Sequence, residues 1–212
     1  TMLDLAIGRM HSAPVMMIVS HRSDFPPVWR AHAAFAQLML SEGYDAVTVE
    51  RMCAHADVGR STFYLHFSGK EGILRESLAG PSSHLVALIG AEANAEMLRP
   101  ILEHFHQQRK KNWVCFTHPV RAIWIKRLDE LIEPKLASRA RAVRGRRLLP
   151  LPVIAQQIAE AQIALIATWL ATHFATPPVT IAEALVATTR GAMAALLQCD
   201  QRALLTKRPS TT

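Results

Sequence analysis

Cysteine is scarce and odd in number: Cys53, Cys115 and Cys199 stand far apart and form no CxxC pair. This excludes a disulfide-stapled scaffold and points to a reducing, cytoplasmic compartment. Aromatic residues make up 6% of the 212 residues, while alanine and leucine are abundant and β-branched alternation is hard to find. An all-α fold is therefore expected. Glycine, with 9 copies, forms no phosphate-cradling loop, and there is no G-x-S-x-G elbow. No apolar run approaches the ~20 residues that span a bilayer, the nearest being Ile163 to Ala171, so no membrane partner is expected. Met2 to Val19 lacks the basic start and clean apolar centre of a secretory signal.

Metal and catalytic constellations are equally poor. His104 and His106 are two apart and diverge on a helix; Cys115 and His118 are three apart and can share a face, but no further ligand is near in sequence. The carboxylates fall singly on polar faces. No metal, no cofactor and no enzymatic activity are expected. Cys53 reads as an apolar filler, with a redox switch as the alternative.

What is present begins with charge. The formal net charge is +7, yet from Trp29 to Gly80 five basic residues face six acidic ones. The surplus lies from Arg99 to Arg147, where thirteen basic residues face four acidic ones, and is concentrated in Lys135 to Arg147. That segment admits three readings: a solvated helix end and loop, an additional contact with DNA phosphate, or attraction of an anionic ligand.

The densest pattern is Val47 to Leu74, VTVERMCAHADVGRSTFYLHFSGKEGIL. Thr48 is a good N-cap, and Val49, Met52 and Cys53 recur at i, i+3 and i+4 on a helix ending near His55. Ala56-Asp57-Val58-Gly59 makes a turn in which Asp57 tolerates a left-handed conformation. Gly59 can open a second helix. That helix turns Phe63 and Phe67 inward and leaves Arg60, Ser61, Tyr64 and His66 on an outer face, suited to a DNA major groove.

This run resembles the helix-turn-helix of the TetR family of transcriptional regulators. The matching residues are Thr48, Ala56, Val58, Thr62-Phe63-Tyr64, His66-Phe67, Lys70-Glu71 and Ile73-Leu74, with Glu42-Gly43-Tyr44 upstream closing a helix from about Val28 to Ser41. The chain departs from the family at Asp57, where glycine is usual, at Gly59, where a capping serine that touches phosphate is usual, and at the start of the first helix, which lacks its basic residues. The resemblance implies a homodimeric, ligand-responsive, DNA-binding regulator, a repressor released from a palindromic operator. It implies that Arg60 and Ser61 face base edges and that Thr48, Thr62, Tyr64, His66 and Lys70 face phosphates. On the bland reading Tyr64 is packing and His66 a plain helix end. The alternative function is a helical small-molecule carrier or enzyme with an unused motif-like N-terminal domain.

The expected organisation is an N-terminal extension over 1–27, a three-helix DNA-binding domain over 28–80, a helical ligand-binding and dimerisation domain over 81–198 and a tail over 199–212. Pro81-Ser82-Ser83 marks a break, followed by a helix from Leu85 to Leu98. Val120 to Ile132 is amphipathic. Two long helices close the chain, about Pro152 to His173 and Thr180 to Gln198, the second opened by a Thr180–Glu183 capping box. Both are rich in alanine, which lets helix axes approach closely. A dimeric four-helix bundle would use their surplus apolar surface, and packing within one subunit is the alternative. Met97, Phe105, Trp113, Phe116 and Trp124 are candidates to line an apolar cavity for a small apolar or amphipathic effector, or else are plain core.

Overall fold

A computed structural model describes residues 27–143, 146–172 and 176–205, all of them helical or in the turns between helices. The all-α expectation holds. The expected N-terminal extension, apart from its last residue, lies outside the described residues, as do Arg144, His173 and residues 206–212 of the tail. The chain divides into two compact units. The first takes in the described residues to Pro81 together with Lys110–Ile123, the second Ser82–Arg109 and the described residues from Trp124 onward.

In the first unit, α1 spans Pro27–Glu42, and its opening proline supplies the fixed φ a helix start needs. It buries Ala31, Ala34, Phe35, Leu38 and Met39, an i, i+3, i+4, i+7, i+8 stripe. Gly43, at φ +85, ends it in a conformation L side chains rarely adopt. Helices α2 (Val49–Ala56), α3 (Arg60–His66) and α4 (Lys70–Ser77) follow, and all three pack on α1. Their shared core is Met52, Cys53, Phe63, Phe67, Ile73 and Leu74 with the α1 stripe.

Helix α5, Ala79–Ala87, replaces the expected break at Pro81 and the helix from Leu85 to Leu98. Pro81 sits in its first turn, where a missing N–H breaks no intrahelical bond. The helix stops after Ala87 because Leu88, Ile89 and Gly90 bond to Leu85, Val86 and Ala87 three residues back, a tightening that unwinds the last turn. Asn94 then caps a short 3-10 turn over Ala95–Met97 by accepting from the Met97 N–H at 3.2 Å. Helices α6 (Arg99–Gln107), α7 (Arg109–Asn112) and α8 (Val120–Val143) lead to the two long helices α9 (Leu151–Ala171) and α10 (Pro178–Leu196).

The capping box expected at Thr180 is not formed. Pro178 opens α10 with Pro177 at its N-cap and no side-chain cap bond, and the preset φ of proline starts the helix two residues earlier. Both long helices are long and apolar enough, by length and composition, to cross a membrane, with mean hydropathy 1.3 over the relevant window. The expectation that no run approaches that length is corrected to this extent. The reason is alanine, which raises hydropathy without forming a conspicuous run of large apolar residues. In the second unit α10 packs on α9, on α6 and on the turns at Ala95–Met97 and Gln201–Leu205. Its core contains the buried polar side chains Ser82, Gln162 and Thr189.

Candidate nucleic-acid interface

Local chemistry fixes the α2–turn–α3 geometry. The Thr48 hydroxyl oxygen accepts from the Arg51 N–H at 3.3 Å, opening α2 as a side-chain N-cap. Asp57 takes φ 50 and ψ 54, the left-handed conformation, and its N–H and that of Val58 close the end of α2 on the Ala54 and Cys53 carbonyls. Gly59 opens α3 in extended conformation without a side-chain cap.

Helix α3 is held from one side only. Phe63 and Phe67 are buried, their rings 5.1 Å apart, and His32 of α1 meets Phe67 edge-on at 5.1 Å. Burial holds the His32 imidazole below the usual histidine range, with Glu76 opposing that shift. The Ser77 hydroxyl donates to the Ile73 carbonyl at 2.9 Å and so presents a lone pair to His32 Nδ1 at 3.1 Å. On its other edge the ring meets Glu76, whose carboxylate oxygen lies 3.5 Å from Nε2, and these contacts tie α1 to α4 behind α3.

On the other side Arg60, Ser61, Tyr64, Leu65 and His66 are exposed. The spacing of Arg60, Ser61, Tyr64 and Leu65, at i, i+1, i+4 and i+5, places these four on one face. Leu65 is 80% exposed and was not singled out by sequence reading. Its signal was an apolar residue one helical turn beyond Ser61, on a face otherwise read as polar. Thr62 is half-buried.

Besides Thr48, which caps α2, two more of the expected contact residues are engaged within the unit. Arg60 pairs with Glu50 of α2 at 2.8 Å. The Glu50 carboxylate is held below its usual range by a bond to its own backbone first, then by Thr48 and Arg60. Lys70, half-buried, donates to the Tyr44 carbonyl at 3.1 Å and lies 4.3 Å from the centre of the Tyr44 ring. Arg51 pairs with Glu42 at 2.6 Å and donates to the Ala46 carbonyl at 3.0 Å, fastening the α1–α2 connection. Cys53 is 6% exposed and burial raises its thiol pKa, which keeps it protonated and poorly nucleophilic.

The vacant cap at Gly59 has room for a side chain. A Cβ there would come no closer than 3.7 Å to its neighbours, at Thr62 Oγ1. Gly59→Ser is expected to stabilise the domain by a few tenths of a kcal/mol, read as a higher urea midpoint. A lower midpoint would show that the α3 start does not accept a conventional cap.

The five residues expected around an effector cavity divide between the two units. Phe105 and Trp124 meet in the second unit, ring centres 6.1 Å apart, and the Trp124 indole N–H donates to the buried Ser82 hydroxyl at 3.2 Å. Met97 is half-buried in that unit's Ala95–Met97 turn. Trp113 and Phe116 fall with the first unit, Trp113 39% exposed and Phe116 buried. Buried Gln162 donates from its amide nitrogen to the Leu85 carbonyl at 3.3 Å and to Thr189 Oγ1 at 3.1 Å, leaving its amide oxygen without a donor. Burial pushes the Cys115 thiol up to about 12, a poor metal ligand in that state.

Residues 33–77 match the family model of bacterial regulatory proteins, tetR family. No curated protein matches the chain. Among solved structures, a TetR transcriptional regulator from Streptococcus agalactiae 2603V is 22% identical, with TM-score 0.51, over 77% of this chain and 93% of its own. A structure from Syntrophomonas wolfei assigned to the TetR-family transcriptional regulators is 19% identical, with TM-score 0.55, over 81% of this chain and 96% of its own. These likenesses establish the fold.

Proposed function

Because residues 33–77 give this chain the helix-turn-helix domain of the tetR family of bacterial regulatory proteins, we propose that it is a homodimeric, ligand-responsive, cytoplasmic transcriptional regulator that binds a palindromic operator as a repressor. The observation that carries this reading is the one-sided anchoring of α3: two buried phenylalanines hold a short helix whose opposite face is exposed and rich in hydrogen-bonding groups. A recognition helix entering a major groove needs that arrangement. Arg60 and Ser61 read base edges, and Leu65 offers an apolar surface to a thymine methyl. Thr48, Thr62, Tyr64, His66 and Lys70 serve the phosphates.

Dimerisation follows from the outer faces of the long helices. Ala161, Ala164 and Ala171 on α9 and Ala187 and Ala195 on α10 are exposed in the single chain, and small side chains let a second pair of helices approach closely. Two recognition helices then reach successive major grooves, about 34–36 Å apart. The effector, an apolar or amphipathic small molecule, belongs to the second unit, where the Phe105–Trp124 cluster supplies apolar surface and the unsatisfied Gln162 oxygen a polar anchor. A helical carrier or enzyme using only the second unit is the competing reading, and it predicts no specific DNA binding.

The two charged contacts separate by their response to sequence and salt. Arg60→Ala should cost about 1–3 kcal/mol per half-site on the operator and relax preference at one base position. Lys70→Ala should weaken all sequences alike and reduce the log–log salt slope by about 1 per subunit. Equal losses on operator and random DNA for Arg60→Ala would remove it from base reading. An unchanged slope for Lys70→Ala would leave Lys70 with its clasp on Tyr44 alone. Fluorescence anisotropy at two salt concentrations reads both.

A further inference from the structure

Beyond the regulator reading stands the basic segment Lys135 to Arg147, with six basic residues and no acidic one. The last turns of α8 and the connection into α9 enclose an open groove of about 590 Å³, lined by Glu133, Arg147, Leu148, Leu149, Pro150, Leu151 and Pro152. A second hollow of about 380 Å³ shares Arg147 and Leu151 with it and adds Ala137, Ala140 and Arg141. Glu133, Ala137, Ala140 and Arg141 recur at three and four along α8, one helical face. The two alanines keep that face low, so a trough remains between α8 and the leucine-proline turn.

The trough has two kinds of lining. Leu148 and Leu149 are 58% and 40% exposed, an unusual exposure for neighbouring large apolar residues. Their backbone is pinned, because the Leu148 N–H donates to the Leu196 carbonyl at 2.9 Å. Against them stand the guanidinium groups of Arg141 and Arg147, opposed by the single carboxylate of Glu133. Arg141 lies in the last turn of α8, where the helix dipole favours a cation. Phosphate of nucleic acid would use the arginines and leave the leucines wet; a neutral apolar ligand would use the leucines and leave the arginines without purpose. A ligand carrying an anionic head on an apolar tail uses both, and the volume falls in the range of small-molecule sites.

We propose that this groove binds a free anionic amphiphile of the carboxylate class, its head on Arg141 and Arg147 and its chain along Leu148, Leu149 and Leu151. The probe is decanoate below its micelle concentration, followed by titration calorimetry on the full chain. Saturable binding of one decanoate per chain at this site is expected. Acetate and decyltrimethylammonium should each bind at least about tenfold more weakly, the first for lack of a chain, the second for the wrong charge. The double variant Arg141→Gln/Arg147→Gln should lose about tenfold in decanoate affinity, since charge-assisted bonds are replaced by neutral ones. Leu148→Ser/Leu149→Ser should weaken decanoate and leave acetate unchanged. All four side chains line the groove or the hollow beside it, and unchanged circular dichroism verifies that the variants fold. Wild-type decanoate affinity in the arginine variant would overturn the proposal by placing the amphiphile elsewhere. Equal affinity for the cationic amphiphile would overturn it by removing the charge. Co-sedimentation with phosphatidylglycerol vesicles without binding of monomeric decanoate would overturn it in favour of a bilayer surface, and loss of operator affinity in the arginine variant with decanoate binding intact would do so in favour of DNA phosphate.

Discussion

Phe63→Ala is expected to abolish DNA binding by releasing α3 from the first unit, although Phe63 itself never faces the groove. Its side chain is 1% exposed and packs on Phe67, so truncation removes the buried ring and leaves a cavity. Such a change costs about 3–5 kcal/mol in a well-packed core. That is a large share of the total stability of a typical domain, about 5–15 kcal/mol. The neighbouring Tyr64, 53% exposed, gives the contrast. Tyr64→Ala should leave the urea midpoint nearly unchanged and weaken DNA binding modestly, through loss of a phosphate contact. Urea unfolding followed by circular dichroism reads the first effect and anisotropy the second. A Phe63→Ala protein with a wild-type midpoint would show that α3 is not held by this pair.

Ala187→Glu should turn the proposed dimer into a monomer without unfolding the chain. Ala187 is exposed on α10, so a carboxylate there meets water in the single chain but would be buried unpaired between two copies, at a cost of several kcal/mol. Leu185, two residues earlier, is 0% exposed, and a charge there should unfold the second unit outright. The pair of variants separates assembly from folding: sedimentation gives the mass, circular dichroism the helicity. Operator affinity should fall steeply in Ala187→Glu, since each monomer then engages one half-site. A fully dimeric Ala187→Glu protein would move the interface off these helices.

How much of this was legible in the sequence depended on whether the deciding interaction was local. The Thr48 cap, the Asp57 turn and the inward pair Phe63 and Phe67 are set within a few residues of each other, and the pattern displayed them directly. The break expected at Pro81 failed because a proline is neutral in the first turn of a helix, and nothing nearby marks where that turn begins. The Thr180 cap failed for the related reason that Pro178 starts the helix first. The side-chain partners of the contact residues were illegible: Arg60 on Glu50 and Lys70 on Tyr44 join residues ten and twenty-six positions apart, and only the folded backbone brings them together. The aromatic cluster between Met97 and Trp124 looked continuous along the chain, yet packing divides it between two units, because sequence proximity across several turns does not fix which core a side chain enters. Leu65 was illegible because an apolar side chain gives no polar signal, and only its position on α3 places it on the exposed face with Arg60, Ser61 and Tyr64.

The central claim is that two copies of α3 read DNA as a pair. Its most direct test is selection from a random duplex pool by the wild-type protein, followed by anisotropy titration of the enriched sequence at several salt concentrations. The account predicts an enriched palindrome with half-sites one helical turn apart, and an affinity that falls steeply and linearly in log–log form with salt. Enrichment of no common sequence, or binding indifferent to salt, would contradict it.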